Sequence, residues 1–323
     1  MSKAIRLYEL GGPEKLQWEE LEVPAPGVGE VLLRHTAIGL NFMDVYLRTG
    51  LYPRPLPSGV GGEAAGVIQA LGKQVKGLKV GDHVTYMYPV PGAYSERRVL
   101  PATALLKLPS GVSDEQAAAV LLKGLTSWYL LRQTYRVKKG DVILLPAAAG
   151  GMGLILSQWA RALGAKVIGV VGSEAKVALA RKHGCHQVFV GYEALGERVK
   201  KYNKGQGVDV VYDGVGKDSF AASLDCLKPR HLMVSFGNAS GPVPPFSALE
   251  LARRGSLYFT RTGGADYLSD PKARAQGAKE LFALLKSRKI RVHIGQRFPL
   301  SEAARAHTEL EARRTVGSSV LVP

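Results

Sequence analysis

Between Gly140 and Thr260 the chain alternates short, uninterrupted apolar runs with segments whose apolar positions recur at helical spacing. Runs without internal polar alternation are strands buried on both faces, and their alternation with helices predicts a parallel sheet covered on both sides. Six strands are expected: Val142 to Leu145, Lys166 to Val171, Gln187 to Val190, Val208 to Tyr212, His231 to Phe236 and Leu257 to Thr260. Helices are expected over Leu154 to Leu163, Glu174 to His183, Glu193 to Lys204, Lys217 to Leu227 and Ser247 to Arg254, several closed by Gly or Pro.

The earlier part of the chain is punctuated differently. Short strand-like runs, Lys3 to Leu7, Glu30 to Ile38, Glu63 to Ala70, His83 to Tyr88 and Ala93 to Val99, are separated by Gly and Pro, which is an antiparallel, barrel-like composition. After Gly263-Gly264 come a helix around Lys272 to Ser287, another around Ser301 to Arg313, and a last strand Ser319 to Val322. The expected organisation is a strand-rich domain over residues 1–122, the alternating domain over 123–262, and a return of 263–323 to the first domain.

The segment GDVILLPAAAGGMGLILSQWAR, Gly140 to Arg161, joins the first buried strand to a helix through a turn of very small residues. Strand, small-residue turn and helix in that order form a dinucleotide site, because backbone approaches a pyrophosphate there and the helix start offers unpaired N–H groups. In register with G-x-G-x-x-G, the key positions are Ala148, Gly150 and Gly153, so alanine replaces only the first glycine. Ala149, Gly150, Gly151, Met152 and Gly153 are the expected cofactor-cradling residues. Six strands then make a complete doubly wound, Rossmann-type sheet.

Composition narrows the picture little. The 323 residues suit two domains, with 46% hydrophobic and 22% charged residues. No apolar run reaches membrane-spanning length and no signal peptide is evident, so a cytoplasmic location is expected. Cys185 and Cys226 are too few for a disulfide framework or a four-thiolate zinc site. The net charge of +16 comes from dispersed residues without a long basic run, which favours attraction of an anionic cofactor over nucleic-acid recognition.

These features together resemble the medium-chain dehydrogenase/reductase superfamily, and most closely its quinone oxidoreductase (zeta-crystallin-like) branch. The resemblance rests on Gly140-Asp141, Leu144, Ala148-Ala149-Gly150-Gly151, Gly153, Gln158 and Arg161, and also on Gly39 to Asp44, Lys123 to Thr126, Val234 to Asn238 and Gly317 to Ser319. It implies a GroES-like first domain beside the Rossmann domain. Zinc-dependent relatives need an early cysteine and a histidine in a Gly-His-Glu segment. Here Gly62 takes the histidine position in Gly61-Gly62-Glu63, and no cysteine precedes Cys185, so zinc is not expected. The His183-Gly184-Cys185-His186 cluster reads as a helix end and strand start.

The cofactor choice turns on the end of the second strand. NAD-specific sites carry Asp or Glu there, whereas this chain has Gly172, with Ser173 and Lys176 following. A missing carboxylate removes repulsion of a 2′-phosphate and Lys176 offers it a positive partner, so NADPH is expected. Lys176 alone reads equally as a solvated helix residue. Tyr192 is placed to cover the adenine or bond the phosphate, and the resemblance adds Arg313 to that phosphate site. It also places Asn41, Thr126, Val215, Phe236, Gly237 and Asn238 towards the nicotinamide and its ribose; core packing is the competing explanation for Val215 and Phe236.

Direct reduction of a quinone by NADPH is the implied activity, in a cleft between the domains and without zinc or flavin. Donors that meet negative charge developing on the acceptor oxygen lower the barrier, and Asn41, Tyr46, Tyr52 and Arg261 are the candidates. Either tyrosine reads equally as a packed loop aromatic. A reductase of enones or alkenals is the nearest alternative. An NADPH-regulated RNA-binding or structural protein is the alternative from another class. Leu257 to Thr260, an apolar edge strand, is expected to pair with its copy in a homodimer.

Overall fold

The computed structural model describes residues 1–87 and 89–323. Along the chain the strands are β1 (Ser2–Leu7), β2 (Leu16–Leu21), β3 (Glu30–Leu40), β4 (Ser58–Gly59), β5 (Glu63–Leu71), β6 (His83–Met87), β7 (Arg97–Pro101), β8 (Leu105–Lys107), β9 (Val142–Leu145), β10 (Lys166–Val171), β11 (Gln187–Val190), β12 (Val208–Asp213), β13 (Leu227–Ser235), β14 (Tyr258–Arg261), β15 (Ile294–Pro299) and β16 (Ser318–Val322). The α-helices are α1 (Phe42–Thr49), α2 (Asp114–Tyr129), α3 (Gly151–Ala162), α4 (Val177–Lys182), α5 (Leu195–Tyr202), α6 (Phe220–Asp225), α7 (Leu249–Arg253), α8 (Gly264–Leu268), α9 (Pro271–Lys286) and α10 (Ala303–Glu311). Tyr88, expected to end the fourth strand, lies outside the described residues.

The chain forms two compact units, one of Met1–Leu122 with Val292–Pro323 and one of Lys123–Arg291. In the second, six strands lie in the order β11-β10-β9-β12-β13-β14, all parallel. Val142, Leu144, Ile168, Val170 and Val211 fill the core between sheet and helices because a strand covered on both faces must bury both rows of side chains. The expected boundaries of the first three strands agree with the structure to the residue.

The return segment starts later than the expected 263. Residues 263–291 belong to the second unit, where α9 packs on α2 at two glycines: a Cβ on Gly277 would stand 2.9 Å from Leu125, and one on Gly124 2.4 Å from Leu281. Gln158 on α3 then pins the segment's end, donating to the Arg291 carbonyl (3.1 Å) and accepting from the Arg291 N–H (2.9 Å). The sequence shows α9 as a helix but not the surface that receives it.

In the first unit, β15-β16-β3-β5-β6-β8 form one sheet in that order, with β7 also paired to β3, and β2-β1-β4 form a second. The pairings are antiparallel except β15 with β16. Leu7, Leu33, Ile38, Val84 and Leu321 are among the side chains that share its core. The strand expected over Ala93 to Val99 begins only at Arg97, because Tyr94 and Ser95 turn inward, with Ser95 Oγ donating to the Gly92 carbonyl (2.9 Å). Strands β2, β4, β8 and β15 and helices α1 and α2 were not expected, nor was α8 in the second unit. Helix α1 is short, and it forms because Asn41 precedes it in extended conformation and Gly50 ends it with a left-handed φ of 81°.

Candidate functional site

The glycine turn follows β9 and enters α3 at Gly151. Its left-handed residue is Ala147, at φ 54°, one position before the alanine that replaces glycine in the fingerprint. Ala148 is fully buried, and its methyl fits because Gly169 on β10 has no side chain: a Cβ there would stand 2.7 Å from it. Gly153 is obligatory for helix–strand contact, since a Cβ would lie 2.5 Å from the Ala147 carbonyl oxygen. Gly150 N–H closes the turn on Ala147 (3.0 Å). The first N–H groups of α3, from Gly151, Met152 and Gly153, have no carbonyl one turn back to bond, which suits them to a pyrophosphate.

Strand order reverses at β9, flanked by β10 and β12, so the ligand crevice of such a sheet lies at these strands' carboxyl ends. Asp213 ends β12 there, fully buried. Its Oδ1 accepts from the N–H groups of Val215 (2.7 Å) and Gly216 (3.1 Å), and its Oδ2 from the hydroxyls of Ser219 (2.6 Å) and Ser223 (3.2 Å). Burial pushes its carboxyl above the ordinary range, against those bonds. Asp213 thus fixes the loop carrying Val215. The neighbouring turn, Phe236-Gly237-Asn238, closes against it: the Phe236 N–H donates to the Asp213 carbonyl (2.8 Å), and a Cβ on Gly237 would meet the Gly214 oxygen at 2.5 Å. Sequence reasoning missed Asp213; an acid ending an apolar strand just before Gly-Val-Gly is the signal that shows it.

At the end of β10, a Cβ added to Gly172 would meet nothing within 4 Å, so an acidic side chain is absent without any steric reason. Ser173 precedes a short 3₁₀ turn, Glu174–Lys176, and its carbonyl accepts the Lys176 N–H (3.1 Å). Gly191 N–H bonds Val171 O (3.0 Å), which brings Tyr192 beside this corner, half-buried against the sheet's core. Thr126 is half-buried on α2. Arg261 ends β14 and donates to the carbonyls of Ser235 (3.2 Å) and Thr262 (3.0 Å).

Asn41, Tyr46, Tyr52 and Arg313 belong to the first unit. Arg313 is exposed just past α10, at φ 59°. Asn41 is buried; its Nδ2 donates to Glu63 Oε2 (2.7 Å) and its backbone N–H to Asp44 Oδ2 (2.9 Å). Glu63 is wholly buried and its other oxygen accepts the Leu122 N–H (2.6 Å). Gly39 is required for this, since a Cβ would lie 2.4 Å from Glu63 Oε2. Tyr94 donates to Asp44 Oδ2 (3.0 Å) and meets His307 Nε2 (3.1 Å), which anchors α1 from below. Tyr46, one turn along α1, packs edge-on to Tyr52 with ring centres 5.5 Å apart. Glu63 and Tyr94 are further residues that sequence reasoning did not single out.

The resemblance raises zinc, and the donor set does not fit it. Gly62 has no side chain, Glu63 is held by Asn41 and Leu122, and His35 Nδ1 meets the Ser95 carbonyl at 2.6 Å. Among the described residues no cluster of three or more His, Cys, Asp or Glu side chains is arranged for a metal ion. In the His183 to His186 segment, His183 Nδ1 meets the Leu179 carbonyl (2.9 Å) and His186 Nδ1 accepts the Val167 N–H (3.1 Å), so both serve local structure.

A Rossmann unit with a glycine turn and a GroES-like unit in one chain define a two-domain dehydrogenase/reductase. Residues 27–110 match the alcohol dehydrogenase GroES-like domain family and residues 151–276 the zinc-binding dehydrogenase family. The chain belongs to the quinone oxidoreductase branch of the medium-chain dehydrogenase/reductase superfamily. It is 51% identical over 325 residues to the quinone oxidoreductase of Pseudomonas aeruginosa, covering the whole of both chains. It is 45% identical over 332 residues to a 2-haloacrylate reductase from a Burkholderia species, covering 100% of this chain and 99% of that one. The solved structure of Escherichia coli quinone oxidoreductase complexed with NADPH superposes with a TM-score of 0.95 at 47% identity, covering 99% of this chain and all of the other.

Proposed function

We propose that the chain is an NADPH-dependent quinone reductase that passes hydride or electrons from NADPH directly to a quinone. The observation that carries this is full-length identity near one half to quinone oxidoreductases, one of them solved with NADPH, on a chain whose own cradle fits that cofactor. NADPH supplies the reducing equivalent; the protein's part is to hold and orient it and to meet the charge that develops on the acceptor.

Gly150 to Gly153 receive the pyrophosphate at the start of α3, and Val215 with Phe236 to Asn238 flank the nicotinamide and its ribose, the first held by Asp213. Lys176, Ser173, Tyr192 and Arg313 take the 2′-phosphate, with Gly172 leaving room for it. Asn41, Tyr46, Tyr52 and Arg261 supply the polar and aromatic contacts to the acceptor, and Thr126 lies on the nicotinamide side. The test is NADPH oxidation by the purified protein with benzo- and naphthoquinones.

A second activity has its own support. Similarity to a 2-haloacrylate reductase favours reduction of activated double bonds at the same site, since a quinone is itself a conjugated enone. The reading includes a homodimer through β14, which lies at the sheet's edge with Tyr258 61% exposed, and a cytoplasmic location, in keeping with two free, buried cysteines. Among the described residues no helix is long and apolar enough to cross a membrane.

A further inference from the structure

Tyr129, the last residue of α2, and Tyr267, in α8, stack face to face with ring centres 4.5 Å apart and planes 11° from parallel. Tyr129 is buried, whereas Tyr267 is half-buried beside the exposed stretch Gly263 to Asp266. The pair borders the carboxyl ends of β13 and β14. Tyr129 lies near Thr262 and Arg261, the Thr262 N–H bonds the Ser235 carbonyl (3.0 Å), and Ser235 immediately precedes the Phe236 to Asn238 turn. Thr126 sits one helical turn before Tyr129 on the same face.

A buried tyrosine that backs a partly exposed one holds its ring at a fixed angle, and a ring so held costs little ordering when a planar ligand stacks on it. Arg261 beside it brings positive charge to an oxygen of that ligand. We infer that Tyr267, braced by Tyr129, is a ring-stacking residue for the planar acceptor and selects quinones over ringless activated alkenes. This rests on the quinone-reductase reading. It is nonetheless separable from it, because stacking is read by binding as well as by turnover.

The experiment compares the wild type with Tyr267→Leu, which keeps apolar bulk but removes the aromatic face, and with Tyr267→Phe, which keeps the face. Binding of 1,4-naphthoquinone to the NADP⁺-loaded enzyme is measured beside steady-state rates with 1,4-naphthoquinone and 2-chloroacrylate. Stacking of this kind predicts that Tyr267→Leu weakens naphthoquinone binding about tenfold, with Tyr267→Phe close to wild type. The ratio of kcat/KM for naphthoquinone over chloroacrylate falls by a similar factor, and Kd for NADPH stays within about twofold. Unchanged naphthoquinone affinity in a folded Tyr267→Leu protein overturns the inference, as does an equal loss in Tyr267→Phe. Weakened naphthoquinone binding in Tyr267→Leu, beside a wild type that turns over no quinone, overturns the quinone-reductase reading while supporting the platform.

Discussion

The Asn41 side-chain amide donates to the wholly buried Glu63 carboxylate across 2.7 Å. A carboxylate only accepts, so this bond fixes which end of the Asn41 amide is nitrogen and which is oxygen. Replacing Glu63 by Gln introduces an NH₂ group that competes with that orientation and weakens the bond to Leu122 N–H. Glu63→Gln is expected to lower kcat/KM for quinones about tenfold and stability by about 1–3 kcal/mol, with NADPH affinity little changed. Steady-state kinetics and urea melts check both; wild-type kinetics would show that Asn41 needs no such support.

Gly172 gives a direct handle on cofactor choice. There is room for a side chain, so Gly172→Asp places a carboxylate at the strand end without a clash. It repels a 2′-phosphate and accepts from the ribose hydroxyls instead, shifting the NADPH-to-NADH ratio of kcat/KM towards NADH by roughly tenfold or more. An unaltered ratio would mean that the phosphate is recognised elsewhere.

Asp213 holds four donors, two of them from the loop that carries Val215. Asp213→Ala leaves the Val215 and Gly216 N–H groups and the Ser223 hydroxyl without this acceptor, and Ser219 Oγ with only the Gly216 carbonyl (3.2 Å), at a cost of about 2–4 kcal/mol. Kd for NADPH is expected to rise along with the loss of stability, measured by calorimetry and fluorescence titration. Thermal destabilisation with unchanged NADPH affinity would separate the loop from the cofactor.

Acid should weaken the fold through two buried histidines. Burial lowers His35 to about 4 and His307 to about 3; Arg98 and Arg48 respectively act in the same direction. The unfolded chain takes up these protons near pH 6.5 while the folded chain does not, so stability falls as pH drops from about 6.5 to 4. The displacement of His35 corresponds to on the order of 3 kcal/mol. Asp213, whose carboxyl is pushed up by burial, contributes with the opposite sign. Denaturant melts between pH 7 and 4 follow the slope, and Tyr86→Phe, which removes the partner of His35 Nε2 (3.0 Å), should alter it.

The edge strand β14 carries the dimer proposal. Its Leu257 neighbour is buried in the sheet's own core, so the exposed member of the pair is Tyr258. Tyr258→Asp should shift sedimentation at micromolar concentration from dimer towards monomer; a monomeric wild type removes the proposal.

Much of the second unit was legible because continuous apolar runs, small-residue turns and helical periodicity are local signals. Its first three strands needed nothing else. Position 169 shows where locality ends: that Gly169 makes room for the alanine at 148 depends on a neighbour 21 residues away. The same applies to α9, readable as a helix but assigned to the wrong unit until Gly124, Gly277 and Gln158 reveal what receives it. Helix α1, in the first unit, and α2, which runs from the first unit into the second, are obscured in the sequence because Gly39 to Asp44 and Lys123 to Thr126 stand out as motif residues rather than as helical periodicity. Candidate contacts at strand ends were proposed through resemblance, and Asp213, whose side-chain partners all lie within ten residues of it, is marked by the acid before Gly-Val-Gly, whereas Glu63 and Tyr94 act through hydrogen bonds between distant segments that no spacing discloses.

The most direct test is the rate of NADPH oxidation across a panel of benzo- and naphthoquinones, with NADH and ringless enones as controls. The account predicts turnover of quinones with NADPH well above NADH, at a higher kcat/KM than with the enones. Absence of turnover with every quinone, or equal use of NADH, would contradict it.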